Sequence, residues 1–162
     1  MGFPAHELRH ETTQDVDAII PLVQLDQLHA DDQFWSARDA TNAELAARGL
    51  YMTHLFTEAD VFLLPDWLDR RLPIPVSFAH LKLFRPATLD LILTKMMRGA
   101  DPEDLSDIEF LLIHEPVAEA DVRAAFERLR LPDIQELRDA FRAAQPKVLA
   151  LVQVRGQRPA CS

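Results

Sequence analysis

Apolar residues along this chain follow two kinds of spacing, and the change comes near residue 85. Before it they fall in short runs, Val16 to Ile20, Leu50 to Phe56, Val61 to Leu64 and Val76 to Phe84, divided by polar or proline-containing segments. Short apolar runs bounded by turn formers predict strands. One helix is expected among them, Ser36 to Ala47, with Ser36 as N-cap and Gly49 as its stop. Pro65 to Arg71 predicts one or two helical turns, after which Pro73 and Pro75 impose extended backbone.

Beyond Pro86 the spacing becomes helical. Leu89, Ile92, Leu93 and Met96 recur on one face and Gly99 ends the pattern. Asp101 is placed to cap the next helix, with Pro102 in its first turn and Glu103 and Asp104 near its positive end. Ile108, Leu111 and Leu112 form its apolar stripe. Two further stripes are Val122, Ala125, Phe126 and Leu129, then Ile134, Leu137 and Phe141, and Pro146 is expected to interrupt the last before Val148 to Val154. The pattern predicts one α+β domain over 1–162, with a sheet-containing part at 1–85 and a helical part at 86–162.

The 162 residues suffice to bury about two thirds of the unfolded surface without disulfides. Cys161 has no partner cysteine, which fits a reducing compartment and makes the cytoplasm the expected location. No apolar run approaches the roughly 20 residues of a membrane helix, so no membrane association is expected. A net charge of -9 opposes non-specific DNA binding, which depends on cations displacing counterions. The acid-free stretch from Ala140, with Arg142, Lys147, Arg155 and Arg158, reads first as a solvated tail and second as a phosphate-binding patch.

The chemistry centres on Asp15 and Asp17. On a strand, alternate side chains leave one face, so two carboxylates whose Cα atoms lie roughly 7 Å apart would point together and suit a divalent cation. The competing assignment makes Thr13 or Asp15 the N-cap of a short helix. His6 and His10 lack a third ligand at convincing spacing, Trp35 and Trp67 sit among apolar residues as core packing, and no serine or cysteine nucleophile has a readable base.

Arg9, Thr13, Asp15, Val16 and Asp17 follow an Arg–x–Thr–x–Asp–hydrophobic–Asp pattern with slack after the arginine, and the block from Arg85 to Ile108 carries a second match. With Phe34–Trp35, Gly49–Leu50–Tyr51 and Pro65–Asp66–Trp67, these residues make the chain resemble the nucleotidyltransferase superfamily over residues 1 to 115. Within it, the resemblance is to uncharacterised bacterial proteins related to the nucleotidyltransferase toxins of toxin–antitoxin pairs. The resemblance implies a small mixed β-sheet of the nucleotidyltransferase type, lacking the first helix and strand, followed by a helical C-terminal half.

It further implies that Asp15 and Asp17, with Asp60 as third carboxylate and Glu58 as its competitor, hold Mg²⁺ or Mn²⁺ bound to a nucleoside triphosphate. Carboxylates are hard ligands suited to Mg²⁺. Gly2, Arg9, Thr13 and Lys95 are the implied substrate contacts. Phe3 stands where the family has the small second residue of its Gly–Gly or Gly–Ser pair. Lys95 and Arg98 share a helix face and meet either a triphosphate or the carboxylates of the next helix. Two functions follow as expectations: transfer of a nucleotidyl group to a protein or RNA hydroxyl, or a catalytically degenerate binding or homodimerisation module that uses an unpaired sheet edge.

Overall fold

The chain is an α+β protein in which, among the described residues, helix predominates and every strand is short. The structure, a computed structural model, describes residues 17–52, 55–76, 79 and 82–156. The chain divides into two compact units, Met1–Asp60 and Val61–Ser162.

In the first unit, β1 (Ala18–Ile20) runs parallel to β2 (Leu55–Thr57), with Ala18 opposite Leu55 and Ile20 opposite Thr57. Parallel strands need a long crossover, and here it contains α1 (Leu22–His29) and α2 (Asp32–Leu45). The sequence pattern gave no element to α1, although Pro21 suits a helix entry and Leu22, Leu25 and Leu28 share its face. Its first amide, Leu22 N–H, donates to Glu58 Oε1 at 2.9 Å, so an acid from just beyond β2 caps it.

Asp31, not Ser36, is the N-cap of α2. Its Oδ1 accepts from the amides of Gln33 and Phe34, both at 3.0 Å, which places the cap five residues ahead of the expected one. A 3₁₀ turn, Ala46–Arg48, follows, and Gly49 at φ 66° closes it in the left-handed conformation that glycine tolerates. Asn42 then clasps the backbone of Met52, donating to its carbonyl at 3.1 Å and accepting from its amide at 2.8 Å.

Val61 to Leu64, expected as a strand, makes no ladder. Phe62, Leu63 and Leu64 are instead buried as an irregular segment leading to the short helix α3 (Trp67–Arg70), where Trp67 is also buried as expected. Of the predicted run Val76 to Phe84, only Phe84 lies in a strand among the described residues. That strand, β4 (Phe84–Arg85), pairs antiparallel with β3 (Leu72–Pro73). Pro73 and Pro75 remove backbone donors from one strand and Pro86 ends the other, which keeps this ladder at two residue pairs. The described residues therefore form two separate two-stranded ladders, one parallel and one antiparallel, in place of the single mixed sheet that was expected.

The helical part follows its local signals more closely. It comprises α4 (Thr88–Lys95), a 3₁₀ turn at Met96–Arg98, α5 (Pro102–His114), α6 (Glu119–Arg128) and α7 (Gln135–Gly156). Asp101 caps α5 as predicted, its Oδ1 accepting from the Glu103 and Asp104 amides at 2.9 and 3.2 Å. Gly99 has φ 75°, and a side chain there would stand 3.5 Å from the Ala140 backbone. Ile92, Leu93, Met96, Ile108, Leu112, Val122 and Ala125 pack with Phe62 and Leu64 around Phe141, Ala144, Val148 and Val152 of α7.

Pro146 does not break α7; the helix runs through it. Pro146 faces outward while buried residues continue on the opposite face before and after it, so packing carries the helix past the missing amide donor. Pro146→Ala restores a donor toward the Arg142 carbonyl without touching the core. It is expected to stabilise the protein by roughly 1–3 kcal/mol in urea denaturation monitored by circular dichroism. A neutral or destabilising result would mean that α7 bends around the proline as part of its packing.

Candidate functional site

Asp17 is the residue directly before β1, and its side chain is exposed. Gly2, Arg9, Thr13 and Asp15 lie outside the described residues, as do His6, His10 and Cys161. The entry to β1 is thus the described end of the predicted aspartate pair.

Asp60 stands elsewhere. β1 and β2 are parallel, Asp17 precedes the first rung, and Asp60 lies three residues past Thr57 in the last. Three steps at about 3.3 Å per residue put close to 10 Å of ladder between the two ends. The Asp60 carboxylate closes its own turn: Oδ2 accepts from Thr57 N–H at 2.8 Å and from the Thr57 hydroxyl at 2.7 Å, and these bonds hold its pKa below the ordinary aspartate value. Glu58, the competing third carboxylate, caps α1 at the same end. Asp17 and Asp60 are not brought together, and among the described residues no three His, Cys, Asp or Glu side chains are placed to hold a metal ion. The described part of the implied three-carboxylate set therefore does not fit a shared Mg²⁺.

Lys95, at the end of α4, meets the acids of α5. Its Nζ donates to Asp107 Oδ2 at 2.7 Å and lies 3.5 Å from Asp104 Oδ1. Partial burial works against its charge, but the Asp107 hydrogen bond and the two carboxylates outweigh it and raise the lysine pKa. Arg98 binds Asp104 with two parallel hydrogen bonds, Nε to Oδ2 and Nη2 to Oδ1, each 2.7 Å. Of the two roles open to Lys95 and Arg98, the structure shows pairing with the next helix. Asp104 is 2% exposed; burial alone would raise its pKa, yet Arg98 and Lys95 bring it below the ordinary value. These four side chains fasten α4 and its following turn to α5, with Asp101 held 3.9 Å from Arg98.

A second buried carboxylate, Asp90, escaped the sequence pattern. It has no exposed surface, accepts from Leu64 N–H at 2.9 Å, and takes two contacts from Arg70 Nη2 at 3.0 and 2.8 Å. Burial is the main influence on it and leaves its pKa raised despite those donors. The chain of charges continues outward: Arg70 Nε is 3.3 Å from Asp66, which accepts from Arg128 Nη2 at 2.7 Å. The readable signal was an acid inside the apolar spacing of α4 with an arginine on the preceding segment. Glu115, at the end of α5, similarly takes hydrogen bonds from Arg85 and from the buried Thr88 hydroxyl.

The aromatic cluster on α2 is also internally satisfied. Trp35 Nε1 donates to the Leu28 carbonyl at 2.9 Å, Phe34 meets its ring edge-on at 5.2 Å, and the Arg38 guanidinium lies over it at 4.8 Å. These contacts close the corner between α1 and α2.

The Asp104 network makes a signed prediction. A carboxylate with a lowered folded pKa adds stability above its unfolded value of about 3.9, and that stability is lost as pH falls through the folded value. Asp104→Asn is expected to cost about 2 kcal/mol at pH 7, between exposed and fully buried pairs. The gap to wild type should close as the pH is lowered from 5 toward 2; a gap independent of pH would show that packing, not charge, holds the two helices. Asp90, with its raised pKa, works in the opposite sense, losing stability as pH rises through its folded value. No protein-family model, curated protein or solved structure matches this chain.

Proposed function

We propose that this chain is a nucleotidyltransferase-like protein that binds a Mg²⁺–nucleoside triphosphate through Asp15 and Asp17 and transfers a nucleotidyl group to a protein or RNA hydroxyl. The observation carrying it is Asp17: an exposed carboxylate at the entry to a strand of a parallel pair, at the end of the Arg9–Thr13–Asp15–Asp17 motif. Bound there, Mg²⁺ would neutralise triphosphate charge and polarise the phosphorus under attack. Asp60 and Glu58 are left out of this site because each is engaged at the opposite end of the ladder. Lys95 is left out because Asp104 and Asp107 hold it.

The test is calorimetric titration of the full chain with ATP and CTP in the presence and absence of Mg²⁺. Binding should require the metal and fall at least tenfold in the double variant Asp15→Asn, Asp17→Asn, with the circular dichroism spectrum unchanged. Equal affinity in that variant would overturn the assignment. Asp60→Asn should change affinity less than threefold; a larger loss would bring Asp60 back into the site.

A second reading is favoured by the engagement of Asp60 and Lys95 within the protein: a catalytically degenerate module that retains binding or dimerisation. It calls for a sedimentation coefficient that rises with concentration between micromolar and hundred-micromolar protein, and no transfer of label from any nucleoside triphosphate to lysate protein or RNA. A concentration-independent monomer counts against its self-associating form.

A further inference from the structure

We draw no further inference here: the strongest candidate, the outward face of α7 on which Ala143, Pro146, Ala150 and Val154 lie between the cations Arg142 and Lys147, is an unpartnered stripe of small residues and nothing in the structure shows what covers it.

Discussion

The apolar stripe of α7 is the constraint on which the second unit depends. Phe141, Ala144, Val148 and Val152 are each at most 2% exposed, and helices α4, α5 and α6 place their own buried residues in the same core. An interior proline costs about 3 kcal/mol in a helix. Full burial of a valine returns roughly 1.5–3 kcal/mol, so Val148 and Val152 together offset the loss. The same stripe explains why small residues occur where they do. The turn after α4 comes so near α7 that Gly99 adjoins the Ala140 backbone, and the fully buried Ala144 lies one turn further along.

Much of the helical part was legible because its signals are local. Asp101 and Pro102 announce α5, Gly99 ends the helical run before it, and Gly49 ends α2, each through backbone chemistry within a few residues. The failures share the opposite property. Ser36 carries a local cap signal that Asp31, five residues earlier, outcompetes, but Val61 to Leu64 departs from the strand pattern for a deeper reason. An apolar run marks burial, and whether it becomes a strand depends on a distant partner. Here the Leu64 amide is met by a carboxylate 26 residues away, and no neighbouring strand is required. Pro146 misled in the same way, since its effect depends on packing that no window of sequence contains.

Charge was harder to interpret than hydrophobicity for the same reason. Lys95 and Arg98 present two cations on one helical face, which suits a polyphosphate or a facing acidic helix equally well. The decision rests on Asp104 and Asp107, whose position opposite them is a tertiary fact. Asp90 was hidden by its setting, an acid among leucines and isoleucines whose cost of burial is only partly offset by Arg70 and one backbone amide. A buried acid with donors supplied by two separate segments fixes the register between those segments. An exposed pair of the same composition contributes little to such definition.

The parallel ladder in the first unit narrows what its acids do. Three-residue strands in a two-stranded sheet are marginal by themselves, so their ends need support from neighbouring groups. Glu58 supplies it by capping α1, and Asp60 by closing the turn after β2, and both act at the C-terminal end of the strands. Moving either carboxylate to a cation would leave a helix amide or a turn amide without its partner. Asp17 stands at the N-terminal end, directly before β1. The division of labour is set by strand direction: had β1 and β2 been antiparallel, the entry to one and the exit from the other would adjoin, and Asp17 and Asp60 would share an end. Because they are parallel, Asp17 stands at one end of the ladder and the turn closed by Asp60 at the other.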